Sequence, residues 1–205
     1  CAKVLEASIT RQTFLYKGEK YTISLAGAYQ KENAVLALNA LEELDRLGWT
    51  TTMEQRKDGL LHTSWKGRFT VINKKPLFIV DGAHNAGAAD KMAESVRHYF
   101  NGKKLIYIMG VFADKEYKIV LEKTAHFAEK IYTIETPDNP RALPAEELAK
   151  AARVYNSSAE STKSIKDAVE KAFSCAGDDE NSVILAFGSL SFIGALTDAV
   201  EEYVG

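Results

Sequence analysis

From residue 68 onward, short apolar runs alternate with longer stretches of helical period. The apolar runs predict strands at 69–72, 77–80, 104–109, 130–133 and 182–187, with one more short strand near 154–158. The amphipathic stretches predict helices at 86–100, 116–127, 145–154, 164–175 and 192–203. Short buried strands separated by amphipathic helices form sheets that are covered on both sides. We therefore expect an α/β, Rossmann-like domain whose mostly parallel sheet carries helices on both faces.

The first third of the chain has a different pattern. Two strands, 13–16 and 20–25, flank a turn at 17–19 and predict a β-hairpin. Helical periodicity follows at 30–47, where Gly48 ends the helix. A second helix is expected at 53–62, capped by Thr51 or Thr52.

This first segment is too small for an independent core, because a hairpin and two helices bury little surface. We expect it to be the tail of a larger domain, joined near residues 64–68 to a complete one. The predicted domains are residues 1–65 and 66–205. Cys1 stands where an initiator Met is absent, and strand-like residues follow it at once, which suggests a piece of a longer chain.

Composition and charge narrow the function classes. A net charge of −2 gives no electrostatic reason to expect nucleic acid. No apolar run approaches the roughly 20 residues that cross a bilayer, and no signal peptide is visible. Cys1 and Cys175 lack metal-ligand spacing, as do the histidines, so we expect no metal site. A reduced cytoplasmic protein fits this composition, and a disulfide stays open.

The most informative polar residues directly follow the predicted strand 77–80. Asp81 there is suited to accept bonds from ribose hydroxyls, and His84 is suited to donate to a phosphate or an oxyanion. Gly82 allows a ligand to approach the backbone closely. The alternative interpretation makes Asp81 a helix cap and Asn85 a turn residue. The residues alone leave both interpretations open.

Two candidates belong to the first third and the junction. The amide of Asn33, in the first turn of its helix, can pair with the edge of a heterocycle, although asparagine near a helix start is more often a local cap. The guanidinium of Arg68 can clamp a phosphate at two points, although most arginines at junctions form surface ion pairs.

Further candidates lie in loops that follow later strands. Lys115 can attract an acidic ligand, and we expect its neighbour Asp114 to cap the next helix. Ser189, with free N–H groups at a helix start, can hold a carboxylate. Arg141, in a proline-punctuated loop, is a possible substrate contact or simply an exposed loop arginine.

Six segments occur in an order that resembles one known family. They are GAYQKENA at 27–34, WKGRF at 65–69, DGAHN at 81–85, GVFADKE at 110–116, TPDNPRAL at 136–143 and FGSLSFIGAL at 187–196. As a set, they resemble the carboxyl-terminal part of the folylpolyglutamate synthase/dihydrofolate synthase family, a branch of the Mur ligase superfamily. That family uses ATP to ligate glutamate to a folate carboxylate through an acyl phosphate.

The resemblance implies a role for each candidate. Asn33 is expected to contact adenine, Arg68 the terminal phosphates and Asp81 the ribose, while His84 lies near the phosphate and acyl-transfer centre. The expected glutamate contacts are three residues of the carboxyl-terminal domain: Lys115, Arg141 and Ser189.

The chain departs from the family pattern at two motif positions. Tyr29 replaces a common His, and Lys66 replaces a common Pro. No phosphate loop of the G-x-x-x-x-G-K-[ST] type is present either.

By the resemblance, that loop, the Mg²⁺-binding Glu and the modified Lys belong to a missing amino-terminal domain. We therefore expect ATP and Mg²⁺ as cofactors, and folate or folylpolyglutamate with L-glutamate as substrates, of the longer protein. This chain alone is expected to have negligible ligase activity. An exposed former domain interface makes association of two such chains possible.

Two alternatives remain. One is a module that binds a nucleotide or an amino acid without catalysis. The other is a fragment of a cell-wall Mur ligase.

Overall fold

The computed structural model describes residues 2–205 as two compact units, the first ending at Thr70 and the second spanning Val71–Gly205. Cys1 lies outside the described residues, and a disulfide between Cys1 and Cys175 therefore lies outside them too. Within residues 2–205, no helix has the length and apolarity to cross a membrane.

The first unit contains an antiparallel three-stranded sheet in the order β1-β2-β3. Its strands are β1 Lys3–Ala7, β2 Gln12–Tyr16 and β3 Glu19–Ile23. The predicted hairpin is β2 and β3, whose turn has positive φ at Lys17 (50°) and Gly18 (83°). Strand β1 adds a third member whose five residues are all exposed. An exposed strand has no apolar alternation, so its sequence pattern is weak.

Two helices complete the first unit: α1 Gln30–Arg46 and α2 Met53–His62. Helix α1 packs Ala34 and Leu38 into a small core with strand residues, of which Phe14 is fully buried. Helix α2 begins with a capping box, in which Thr52 accepts from the Gln55 backbone N–H and the Gln55 side chain accepts from that of Thr52. The cap fixes the start of α2, which buries none of its own side chains.

The second unit alternates strands and helices, as predicted. Its elements are β4 Thr70–Lys74, β5 Leu77–Val80, α3 Ala86–Tyr99, β6 Lys104–Met109, α4 Tyr117–Thr124, β7 Lys130–Thr133, α5 Ala145–Arg153, β8 Ala159–Ser161, α6 Ile165–Ala176, β9 Ser182–Phe187 and α7 Ile193–Val204. The sheet order is β4-β5-β9-β6-β7-β8, and every pair from β5 to β8 is parallel. The predicted Rossmann-like sheet is confirmed.

Helices cover both faces of this sheet. Helices α6 and α7 pack on one face, where Phe78, Ile106 and Ile184 contribute strand side chains to the core. The alternate strand residues, such as Ile79 and Tyr107, point to the opposite face because side chains alternate along a strand. Helices α3, α4 and α5 contact one another in sequence and bury their apolar residues on that side.

The expected strand near 154–158 is displaced, since the strand forms at Ala159–Ser161 instead. The Asn156 side chain causes this shift. Its Nδ2 donates to the carbonyls of Ala125 (3.0 Å) and Ala128 (2.6 Å), and its Oδ1 accepts from the Ser158 N–H. These bonds hold the segment as a turn and delay the strand until Ala159.

Tyr107 supplies a stability prediction. Its side chain is fully buried, its hydroxyl has no hydrogen-bond partner within residues 2–205, and burial raises its pKa. Because a buried hydroxyl without a partner costs free energy, Tyr107→Phe should raise the free energy of unfolding by about 1 kcal/mol in urea titrations. Tyr16→Phe is the matched control, since it removes a hydroxyl that donates to the Asn39 Oδ1 at 2.6 Å and should lower the free energy of unfolding. Destabilisation by Tyr107→Phe would contradict the prediction.

Candidate functional site

Three adjacent strands of the second unit end at the same edge of the sheet. In the parallel register Val80 pairs with Ala186 and Met109 with Phe187, so β5, β9 and β6 finish side by side. The loops that follow them start at Asp81, Gly188 and Gly110. Such an edge is where open α/β sheets bind ligands.

The loop after β5 is shaped by its own polar groups. Asp81 is buried, and its Oδ1 accepts from the Ala83 N–H at 2.8 Å. The cap of α3 is Asn85, whose side chain accepts from the Ala88 N–H at 2.9 Å. The alternative interpretation made Asp81 the helix cap and Asn85 a turn residue. The motif does contain a helix cap, but the capping residue is Asn85.

His84 is half-buried beside this loop, and its Nδ1 lies 2.7 Å from the Gly82 carbonyl oxygen. A carbonyl only accepts, so Nδ1 carries the proton and Nε2 of the neutral ring is an acceptor. Donation from Nε2 to a phosphate or an oxyanion therefore requires the protonated imidazole.

A cleft of about 270 Å³ opens at this edge of the sheet. It is lined by His84, Phe112, Lys115, Arg141, Gly188, Ser189, Leu190 and Ser191. Four residues proposed from the sequence thus come together here: His84, Lys115, Arg141 and Ser189. Within residues 2–205 the Nζ of Lys115 forms no ion pair or hydrogen bond, so its charge is available to an acidic ligand.

Arg141 is held in place by two neighbours. Its Nε and Nη2 donate to the two carboxylate oxygens of Asp114 at 3.2 and 2.6 Å, and its guanidinium lies 4.8 Å from the centre of the Phe112 ring. The expected capping role of Asp114 is wrong, because α4 begins after Glu116 without a side-chain cap. The bidentate pair lowers the pKa of the Asp114 carboxyl below its ordinary value.

The loop after β9 brings two hydroxyls together. Ser189 is buried, its Oγ lies 2.7 Å from the Ser191 Oγ, and it accepts from the Ser191 N–H at 3.2 Å. Gly188 precedes it with φ of +117°, and a Cβ there would lie 2.4 Å from the Gly110 carbonyl oxygen. Only glycine lets these two loops approach so closely.

A separate cavity of about 510 Å³ lies in the first unit. It is lined by Ile23, Leu25, Tyr29, Gln30, Asn33, Ala34, Ala37, Leu60, Thr63, Trp65 and Arg68. Two predicted residues, Asn33 and Arg68, therefore share one cavity. The Asn33 Nδ2 donates to the Gln30 Oε1 at 2.9 Å, and the half-buried Arg68 guanidinium has no partner within residues 2–205.

The candidates thus form two groups, one in each unit. Sequence reasoning assigned no role to several lining residues, including Phe112 and Ser191 in the cleft and Gln30 and Trp65 in the cavity. Phe112 belongs to the segment GVFADKE at 110–116, two residues before Asp114. Its place in that segment was the only sign in the sequence that it lines the cleft. Among residues 2–205, no group of three or more His, Cys, Asp or Glu side chains is placed to hold a metal ion.

A family model described as "Mur ligase, glutamate ligase domain" matches residues 67–190, more than half of the chain. The chain belongs to the Mur ligase family. The matched range contains every cleft residue except Ser191, which directly follows it, and it excludes most of the first unit. The cleft therefore lies in the part of the chain that resembles the glutamate ligase domain.

Known relatives of this chain confirm the resemblance that the sequence predicted. The chain is 28% identical over 176 residues to the dihydrofolate synthase/folylpolyglutamate synthase of Bacillus subtilis. The aligned region covers 85% of this chain and 40% of that protein. The chain therefore spans less than half the length of the curated relatives it matches.

Solved structures share the fold. A Mycobacterium tuberculosis folylpolyglutamate synthase complexed with ADP and AMPPCP superimposes with a TM-score of 0.78 at 24% identity, covering 98% of this chain and 47% of that one. A bifunctional folylpolyglutamate synthase/dihydrofolate synthase with Mn, AMPPNP and L-glutamate bound gives 0.70 at 21% identity, covering 98% and 46%.

The close approach at Gly188 supplies a prediction. Gly188→Ala should lower the free energy of unfolding by about 3 kcal/mol, because a left-handed φ and a backbone clash act together. Gly194→Ala is the matched control, since a Cβ there meets nothing within 4 Å and helix α7 gains a better helix former. Urea titration measures both, and equal stability of the two variants would contradict the prediction.

The Asp114–Arg141 pair predicts a pH dependence. Because the pKa of Asp114 is lowered in the folded state, the pairing acts above the carboxyl's ordinary pKa of about 4 and is lost as pH falls through the folded value. Carboxyl ¹³C NMR should place the Asp114 pKa below that of a free aspartate, and Arg141→Gln should return it to about 4. Arg153→Gln, which breaks a different arginine–carboxylate pair, should leave it unchanged.

Proposed function

We propose that this chain is the carboxyl-terminal part of an ATP-dependent folylpolyglutamate synthase/dihydrofolate synthase. Such an enzyme adds L-glutamate to a folate or folylpolyglutamate through an acyl-phosphate intermediate. The observation that carries the proposal is the cleft with two cationic side chains and two hydroxyls, built on three adjacent strand ends of a Mur glutamate ligase domain.

The chemistry of the cleft suits an amino-acid dicarboxylate. Lys115 supplies an uncommitted charge for one carboxylate. The Nη1 group of Arg141, which Asp114 does not engage, can donate to the other. The hydroxyls of Ser189 and Ser191 add neutral donors beside them. In this proposal L-glutamate lies in the cleft with its amine near His84, where the acyl group is transferred.

The first-unit cavity suits part of a nucleotide. Its apolar walls and the Asn33 amide fit a base, and the unpartnered Arg68 guanidinium fits phosphates. Asp81 is assigned to the ribose and His84 to the phosphate region. The solved relatives with ADP, AMPPCP, AMPPNP and Mn support ATP and a divalent ion, which we take to be Mg²⁺.

The rest of the enzyme is assigned to a further domain. We assign residues 1–65 to the end of a central ATPase domain and residues 66–205 to the carboxyl-terminal domain. The phosphate loop and the metal ligands belong to the missing amino-terminal part, so this chain alone has negligible ligase activity. We place the enzyme in the cytoplasm. The surface that the missing domain would cover is available for association between two copies of this chain.

The glutamate site is tested by removing one charge in the full-length enzyme. Lys115→Met should raise the KM for L-glutamate by 10- to 100-fold, the expected effect of a lost charge-assisted hydrogen bond. Lys118→Met removes an exposed lysine that does not line the cleft and should leave the KM unchanged. An unaltered KM in Lys115→Met would exclude this cleft as the glutamate site.

The reaction is tested by supplying the full-length enzyme with ATP, L-glutamate and either folates or nucleotide-linked muramyl peptides. Turnover with folates is expected, and turnover with muramyl peptides alone would identify a cell-wall Mur ligase. Arg68→Ala and Asp81→Ala should each weaken ATP binding and lower turnover by at least tenfold. If neither changes, the nucleotide contacts are wrongly assigned.

A further inference from the structure

Gly82 makes room for a side chain that comes from a different loop. A Cβ atom placed on Gly82 would lie 2.5 Å from the Cδ2 and 2.6 Å from the Cγ of Leu190. Carbon atoms that are not bonded to each other lie about 3.5 to 4.0 Å apart, so a larger residue at position 82 would displace Leu190. The open side of Gly82, which the sequence suggested for a ligand, is therefore filled by this leucine.

The backbone of Leu190 is fixed by its neighbours in the chain. Leu190 begins a short 3₁₀ helix, and the Ser189 Oγ caps this helix by accepting from the Ser191 N–H at 3.2 Å. The helix ends at Phe192, which is fully buried in the core of the second unit. The cap, the buried ring and the contact with Gly82 together give the Leu190 side chain a defined position.

In this position Leu190 lines the cleft and stays 43% exposed. Among the described residues, it is the one aliphatic side chain on a cleft wall that otherwise carries charged, hydroxyl, imidazole and aromatic groups. A single exposed leucine is common on protein surfaces. This one, however, requires a glycine beside it, which indicates that its apolar surface has a role in the cleft.

The contact between Leu190 and Gly82 lies next to His84. The carbonyl oxygen of Gly82 accepts from the His84 Nδ1 at 2.7 Å, so the residue that accommodates Leu190 also orients the imidazole. Both side chains line the same cleft. An aliphatic surface offers water no hydrogen bond, whereas an ordered water needs about two to four polar partners. Leu190 therefore disfavours ordered water beside the imidazole.

Water competes with the amine of L-glutamate in the reaction proposed above. An acyl phosphate that reacts with water gives back the free carboxylate and inorganic phosphate, so ATP is consumed without ligation. In that reaction the water oxygen bonds to the acyl carbon, the bond from this carbon to the phosphate oxygen breaks, and a proton is released. Enzymes suppress such side reactions by excluding water from the reacting centre.

We propose that Leu190 shields the acyl phosphate from water, and that Gly82 holds the space in which Leu190 lies. The inference rests on the function proposed above and gives a role to a residue that takes no part in charge or proton transfer. Formation of the acyl phosphate does not need this apolar wall. Loss of the wall should therefore lower the yield of ligation per ATP rather than the rate of ATP consumption.

The test measures how much phosphate the full-length enzyme releases for each L-glutamate that it ligates, a ratio that should be close to one. Leu190→Asn keeps the size and branching of the side chain but makes its end polar. The ratio should then rise by about threefold to tenfold, while ATP consumption changes by less than about twofold. Leu190→Ala, which opens the wall, should raise the ratio as well. Leu190→Met is apolar and of similar volume, so it should keep the ratio close to one.

An oxygen label identifies the step at which water enters. With ¹⁸O in the accepting carboxylate and no L-glutamate present, Leu190→Asn should release phosphate that carries ¹⁸O, because water attack at the acyl carbon leaves the carboxylate oxygen on the phosphate. Unlabelled phosphate would indicate direct hydrolysis of ATP and contradict the proposal. Val154→Asn is the matched control, since Val154 is 77% exposed and does not line the cleft. It should change neither the ratio nor the label.

The outcomes separate this inference from the function on which it rests. If the unaltered full-length enzyme ligates L-glutamate to no folate, the proposed function and the role of Leu190 are both refuted. If it does ligate L-glutamate, and both Leu190→Asn and Leu190→Ala keep a ratio close to one, only the role of Leu190 is refuted. An equal rise in Leu190→Met and Leu190→Asn would also refute that role, because the loss would not depend on the polarity of the side chain.

Discussion

The parallel register of β5, β9 and β6 is the constraint on which the cleft depends. It ends three buried strands at one level, so three loops that are distant in sequence start beside one another. Gly188 and Gly110 then set the spacing, because the backbone of one loop touches the other. The polar side chains of the cleft lie in the loops that follow these buried strands, so the strand register determines their positions.

Much of the second unit could be predicted from periodicity, because buried strands and amphipathic helices leave strong local patterns. The boundaries of β5, β6, β7 and β9 agree with those expected from the apolar runs. The short strand near 154–158 was displaced because one asparagine side chain, through contacts with residues far along the chain, held those residues in a turn. Local pattern carries no information about such contacts.

The candidate site residues also divide into those that a local sequence pattern indicates and those that depend on contacts formed by folding. Strand ends pointed to Asp81, His84, Lys115 and Ser189, since the carboxyl end of a parallel strand is recognisable in a sequence. The pairing of Arg141 with Asp114 was not predictable, because the two residues are 27 positions apart and meet only when their loops fold together.

The two serines after β9 give the cleft an adjustable polarity. Either hydroxyl can be the donor in the bond that joins Ser189 and Ser191. Whichever one donates leaves the hydrogen of the other free, so a rotation of two light atoms changes which serine offers a proton outward. The cleft can therefore offer the hydrogen of either serine to a ligand while every heavy atom keeps its place.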